Sequence, residues 1–409
     1  MTRAAKEKYH GTSATSEVRE FRIRMGMELD LMNLWFGKTA DYFRQFISDQ
    51  TIGMARINRF DFTTLPINLL YLLYYEYRRN EKESLNFSFF EYGKNSNGNP
   101  DDDRWEMYLE LQEMYAILQR WYNDKELYHY LGFLFFNFKA QTPFRDIYTQ
   151  WKALNSRDKF LKDIQHTIAT RMLDRYLEET EKAAPDYQKC LKTMTEAISD
   201  FRENWYNNDK ELYQILILLD IFRILDSKSI KKLPTDYFTR KSGQKDGEDK
   251  EHILSQTPRK DNGEIATIKT DWERFAQSED FKDIRSQMQE ILNHSDAELT
   301  EQELTQLQNL LNSAGLNSIG NMVLLDLRIN RSYGNADYTH KRTIIFQEYM
   351  NQKYVRPHPL AVFMKGDIDA REATGIPLNR WTLEDIKRNT DKIAKEIGKN
   401  FNAWLTQNN

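Results

Sequence analysis

The chain of 409 residues contains one cysteine, Cys190. A single thiol excludes an intramolecular disulfide and a cysteine-based zinc site, and it fits a reducing cytoplasm. Long apolar runs are also missing. The longest, "LGFLFF" (131–136) and "ILILLDIF" (215–222), are too short to span a membrane. The opening "MTRAAKEKYHGTSATSEVREF" lacks the apolar stretch of a signal peptide. No Gly-x-x-x-x-Gly-Lys-Ser/Thr string occurs, so no P-loop cradles a nucleotide. Charge of one sign is scarce as well: 58 Lys and Arg against 62 Asp and Glu leave a formal net charge of −4. Any phosphate-binding surface must then be a local patch.

What is present is helical periodicity and a rich supply of aromatics, 13% of the chain. Residues 1–26 read as a polar arm. Over 27–230, segments such as "LPINLLYLLYYEY" and "RWEMYLELQEMYAILQRWY" repeat apolar residues every three or four positions. Turn formers at 94–103 break the first block, with Asp103 a candidate cap for the next helix. "WYNDKELYHYLGFLFF" (121–136) is echoed by "WYNNDKELYQILILLDIF" (205–222). The echo reads as a repeated turn and helix start, or as a duplicated helical hairpin. His129, within the first copy, is expected in the core. Trp105, Trp121 and Trp205 are expected in the core rather than as base-stacking platforms.

The charged, Gly-containing 241–250 reads as a loop, and the chain changes character there. Across 231–409 the runs "HILS" and "MVLLDL" suit short strands or helix entries, with two helices expected between them and Ser295 or Thr300 as a cap. Another helix is expected over "YTHKRTIIFQEYMNQKY" and an extended piece over "RPHPLAVFMKG". A final helix should be capped by Thr382, with Glu384 in its first turn.

Five features follow in order: Glu251-His252, Gly320-Asn321, Asn330, Asn335 and Lys341-Arg342. Phosphodiester hydrolysis needs a base for water, a group to orient it, a cation on the phosphate and ligands for that cation. Imidazole titrates near neutral pH, so His252 can be the base. An Asn321 amide oxygen can fix its tautomer. Glu251 and Asn330 offer oxygen ligands suited to Mg²⁺ or Mn²⁺. Lys341 or Arg342 can neutralise phosphate. Each has a plainer reading: a structural histidine, turn and cap asparagines, a solvated helix face.

The strings Glu251-His252-Ile253, Ile319-Gly320-Asn321-Met322-Val323-Leu324-Leu325, Asn330 and Tyr338-Thr339-His340-Lys341-Arg342 together resemble an HNH (ββα-metal) nuclease motif. The variant is similar to the nuclease part of GmrSD-like restriction proteins. "VFMKG" and "RWTLEDIKRNTDKIAKEI" are similar to that family's closing elements. The resemblance implies His252 as general base, Asn321 orienting it, Glu251 and Asn330 holding a metal, and Lys341 on phosphate with Arg342 supporting it. Asn335 matches a structural position. The fold implied is mainly α: a helical scaffold, partner or sensor domain at 27–230, then an HNH nuclease domain at 231–409 embedded in helices. The function implied is a metal-dependent endonuclease cutting DNA in bacterial defence against phage or modified DNA. The alternatives are RNA cleavage or a non-catalytic scaffold. The ParB-like Asp-Gly-Gln-Gln-Arg module of full-length members has no counterpart, so a separately encoded ParB-like NTPase is the expected partner.

Overall fold

The computed structural model describes residues 14–58, 60–79, 84–90, 100–228, 232–240, 247–255, 257–258, 264–278, 281–327, 329, 338–365 and 379–407. Two compact units divide the chain, Met1–Gln165 and His166–Asn409. The domain boundary expected at 230/231 falls inside the second unit. Among the described residues no helix is long and apolar enough to cross a membrane.

The first unit is helical: α1 (Ala14–Phe43), α2 (Asp49–Ile57), α3 (Asn68–Arg78), α4 (Pro100–Asn123), α5 (Lys125–Phe138), α6 (Phe144–Leu154) and the start of α7 (Arg157–Leu173). Helix α4 begins at Pro100, so Asp103 lies in its first turn and is not the cap. Proline lacks the N–H that would be unsatisfied at a helix start, and acids suit that end of the dipole. Asp124 caps α5, its Oδ1 accepting from the amides of Glu126 and Leu127 at 3.0 Å each. His129 is fully buried, with Nδ1 2.5 Å from the Lys125 carbonyl oxygen. Trp121 is buried and stacks on Phe160 with ring centroids 5.5 Å apart. The Trp105 side chain lies outside the described residues.

The second unit contains α8 (Tyr187–Ser199), α9 (Asp209–Asp226), β1 (Glu248–His252), α10 (Lys269–Ala276), α11 (Arg285–Asn293), α12 (Glu301–Ser313), β2 (Met322–Asp326), α13 (Tyr338–Met350), α14 (Pro357–Met364) and α15 (Leu383–Thr406). Among the described residues three α-helices, not two, lie between the strands. Ser278, Asn293 and Ser295 fall where the apolar periodicity breaks, and short helices fit between them. Thr300 caps α12 in a capping box with Glu303, whereas the Ser295 hydroxyl bonds back to the Ile291 carbonyl oxygen. "RPHPLAVFM" is not extended: Pro357 opens α14, which ends at Lys365 in a left-handed conformation. Thr382 caps α15 in a box with Asp385.

Strands β1 and β2 pair antiparallel, Glu248 opposite Asp326 and His252 opposite Met322. The side chains of Met322, Val323, Leu324 and Leu325 are buried. Val323 and Leu325 join a core that includes Trp272, Leu307, Phe363 and Ile386. An isolated two-stranded ribbon is marginal in water, so this packing keeps the pair folded. Strand β1 replaces the end of the loop expected at 241–250. Residues 241–246 lie outside the described residues.

Candidate functional site

Strand β1, "EDKEH", has no apolar side chain, yet its ends are buried. Every residue on it has a polar partner. Glu248 takes both Nε and Nη2 of Arg356, at 2.7 and 2.8 Å, and Arg356 Nη1 reaches Asp220 of α9 at 2.7 Å. These three side chains are almost fully buried. Burial pushes the Asp220 carboxyl up to about 6, against the pull of Arg356 and the His358 amide. Asp249 pairs with Arg240 at 3.1 Å. Lys250 bonds Asp209 and the Tyr206 carbonyl oxygen, with its ammonium 3.9 Å from the Tyr206 ring centroid.

Glu251 and His252 end the strand. Helix α13 brings Lys341 to them: its ammonium lies 2.8 Å from Glu251 Oε1 and 2.6 Å from the His252 carbonyl oxygen. Lys341 is fully buried, and burial lowers its pKa while Glu251 opposes the shift. Lys341, expected on phosphate, is placed against the strand in this structure. A buried ammonium needs a local counter-charge and acceptors, and Lys341 finds them in the strand. Arg342, one residue on, donates Nε to the Phe363 carbonyl oxygen at 2.9 Å and lies 5.0 Å from the Phe346 ring centroid. It lines a surface cleft with Thr343, Phe346 and Gln347.

His252 is 8% exposed, and its ring stacks on Tyr206 with centroids 4.9 Å apart. Its Nε2 lies 2.9 Å from Asn317 Oδ1. The Asn317 Nδ2 donates to Asn312 Oδ1 at 2.6 Å, which turns the amide oxygen toward the imidazole. With the amide oxygen facing it, Nε2 is the nitrogen that carries the proton in the neutral imidazole. The amide at the imidazole is thus Asn317, while Asn321, expected there, bonds the backbone of Leu254 and Leu316.

Asn321 holds the backbone that follows the histidine. Its Oδ1 accepts from the Leu254 amide at 2.8 Å, and its Nδ2 donates to the carbonyl oxygens of Leu254 and Leu316 at 3.0 and 2.9 Å. It is fully buried. The amide thereby satisfies backbone groups of the turn after β1. Asn321→Ala should leave these groups unpaired and cost about 1–3 kcal/mol for each one that water cannot reach. A urea titration followed by tryptophan fluorescence measures that loss. An unchanged midpoint would contradict it.

Gly320 lets α15 approach this turn. A Cβ there would sit 2.3 Å from the Ile386 carbonyl oxygen and 2.6 Å from the Thr390 amide nitrogen. Asn389 Nδ2 donates to the Gly320 carbonyl oxygen at 2.8 Å across the same gap.

Asn330 and Asn335 lie outside the described residues. Among the described residues, no group of three or more His, Cys, Asp or Glu side chains could hold a metal. Glu251 is the one described member of the expected ligand pair. Lys341 takes its Oε1, and Oε2 makes no hydrogen bond among the described residues. One carboxylate oxygen with an amide ligand suits a hard cation that keeps several waters.

The sequence reading missed Asn317, Tyr206 and Asn312. Asn317 stands four residues before Asn321 in "NSIGN", and Tyr206 lies in the repeated Trp-Tyr string. Both were visible as residues, but nothing in their spacing tied them to His252.

Residues 195–396 match the family described as GmrSD restriction endonucleases, C-terminal domain. No curated protein matches the chain, and no solved structure does. The matched span contains β1, β2, α13 and every described residue of the site.

Proposed function

Because residues 195–396 belong to the GmrSD restriction endonuclease C-terminal domain family, we propose that this chain is a metal-dependent HNH endonuclease that hydrolyses DNA in defence against phage or modified foreign DNA. The observation that carries the reading is the end of β1. There Glu251 and His252 are presented side by side, and one buried lysine ties both to α13.

The residues divide the work as follows. His252 Nδ1 takes the proton from the attacking water. Asn317 is a positioning residue that fixes the tautomer making Nδ1 the base. Asn321 holds the turn behind it, and Lys341 holds the Glu251 carboxylate and the His252 carbonyl in register. Glu251 and Asn330 are the residues proposed to hold Mg²⁺ or Mn²⁺. When bound, such an ion supplies charge stabilisation for the phosphate and the leaving oxygen. Arg342, in a surface cleft on α13, is proposed to support a backbone phosphate. The helical region would serve as scaffold, sensor or dock for a ParB-like NTPase partner, with the protein acting in the cytoplasm.

The test is cleavage of supercoiled plasmid and of structured RNA, with Mg²⁺, Mn²⁺ or chelator. Metal-dependent nicking of the plasmid supports the proposal. Cleavage of RNA alone replaces the substrate, and no cleavage of either, alone or with the partner, overturns the enzyme assignment. Asn317→Ala should lower turnover roughly 10–100-fold. It should also change the pH–rate profile, because the imidazole would no longer be held as one tautomer. A parallel loss of rate at every pH, with lowered stability, would mean a structural role only.

A further inference from the structure

With Lys341 buried against β1, the second unit holds its open cluster of cations elsewhere, in a small cavity between α14 and α15. Ala361 and Val362 of α14 form an apolar wall, and Lys365, Trp381, Arg388 and Lys392 bring N–H groups to it. Asp385, Arg388 and Lys392 recur at three- and four-residue spacing, so one face of α15 lines the space.

The floor of the cavity is fixed. Lys365 ends α14 in the left-handed region, at φ 49°, where a side chain is rarely tolerated. Its ammonium lies 2.9 Å from Asp385 Oδ2 and 5.6 Å from the Trp381 ring centroid. Asp385 is the one acid of the lining. Its Oδ2 also accepts from the amide and hydroxyl of Thr382, and its Oδ1 accepts from Arg388 at 3.3 Å. Three cations facing this one carboxylate leave the lining at +2. The other acids of this stretch of α15, Glu384 and Asp391, are exposed and turned about 90° or more round the helix from the centre of the lining face. Lys387 and Lys395 are exposed beside them, and Arg342 of α13 acts on the charge of Lys365 from a further side.

Two donors in the lining are unmatched. Trp381 is buried, and its Nε1 has no hydrogen-bond partner among the described residues. An indole N–H only donates, so whatever completes it brings an acceptor. Arg388, 37% exposed, spends one of its N–H groups on Asp385 and makes no other hydrogen bond among the described residues. Size narrows the ligand further. About 60 Å³ is open to the centres of water-sized groups. A water needs roughly 10–15 Å³ on that measure, so the space takes about four such groups. That suits the four oxygens of one phosphate and is too little for a base or a sugar.

We propose that this cavity is a phosphate site, with Arg388, Lys392 and the Trp381 N–H holding one phosphate group over the Lys365–Asp385 pair. Its source is the backbone of a bound DNA duplex. That source rests on the endonuclease reading, whereas the phosphate chemistry of the cavity does not.

Duplex binding by the full chain, followed by fluorescence anisotropy in chelator so that no strand is cut, tests it over a series of salt concentrations. Circular dichroism shows that each variant is folded. Arg388→Gln should weaken binding about tenfold and lower the slope of log affinity against log salt by about one, because one phosphate contact is lost. Trp381→Phe keeps a ring against Tyr338 and loses the N–H. It should weaken binding about 2–10-fold and leave the slope unchanged. In isotope-labelled protein the Trp381 indole resonance, assigned by that variant, should shift with the duplex and with inorganic phosphate. A shift with phosphate and none with duplex would overturn the backbone as the source and keep the site for free phosphate. Wild-type affinity and slope in both variants, with an indole resonance that neither probe moves, would overturn the site. A protein that binds duplex through these residues and never cuts it with any metal would overturn the endonuclease reading instead.

Discussion

His252→Ala is expected to reduce metal-dependent plasmid nicking by about 10²–10⁴-fold, the range for loss of a positioned general base. The fold should survive. The ring is stacked on Tyr206 and bonded to Asn317, but the strand position is held by its neighbours and by the Lys341 bond to the His252 carbonyl oxygen, which alanine keeps. The affinity for metal should change little, because the carboxylate of Glu251 remains. Two measurements separate this from general damage: a thermal melt close to wild type, and partial recovery of rate with added imidazole. Nicking within about twofold of wild type would remove His252 from the chemistry.

Arg356→Met should have the largest effect on stability. The guanidinium neutralises Glu248 and Asp220, and all three groups are withdrawn from water. Methionine fills much of the space and leaves two buried carboxylates without a counter-charge. Removing one partner from such a network costs about 3–5 kcal/mol. The loss should be read as a lower urea midpoint, with nicking lost alongside.

The pH dependence gives a second readout. Asp220 is held up at about 6 in the folded protein, above the 3.8 of the free group. Between those values the folded state binds the proton more tightly than the unfolded chain does. This group alone therefore makes folding more favourable as pH falls through about 6. Without Arg356 the carboxyl rises further, so the deficit of the variant should shrink on acidification. A deficit that grows as pH falls would contradict the assignment.

The helices were legible because their apolar residues recur with helical spacing, and Thr300 and Thr382 marked their starts plainly. Strand β2 was legible as an apolar run. Strand β1 was not. Four of its five side chains, all but Asp249, have partners that lie far along the chain, such as Arg356 and Lys341, and no local pattern encodes those pairings. The charged residues 248–250 therefore read as the end of a loop. Helix α14 was hidden by its prolines, which are compatible with a helix start and also with extended chain. The repeated Trp-Tyr strings did mark two similar turns into buried helices. Their hydrogen bonds differ: Asp124 caps α5, whereas Asn208 makes no side-chain cap and instead donates to Glu211. At the site, His252, Glu251 and Lys341 were found by resemblance and are brought together. Lys341 and Asn321 hold other groups than those expected, because a buried amine or amide goes to the nearest unsatisfied backbone or carboxylate.

The pairings around β1 also bear on synthesis. His252 meets Asn317 across 65 residues, Glu251 meets Lys341 across 90, and Arg356 meets Glu248 and Asp220 across 108 and 136. Contacts so distant in sequence form only after the intervening chain has been ordered. A nascent chain on the ribosome has Glu251 and His252 outside the exit tunnel long before α13 and Arg356 follow. During that interval the strand has neither its lysine nor its arginine, and the candidate base is not held in a working geometry. The arrangement delays assembly of the candidate site until α13 and Arg356 have both emerged.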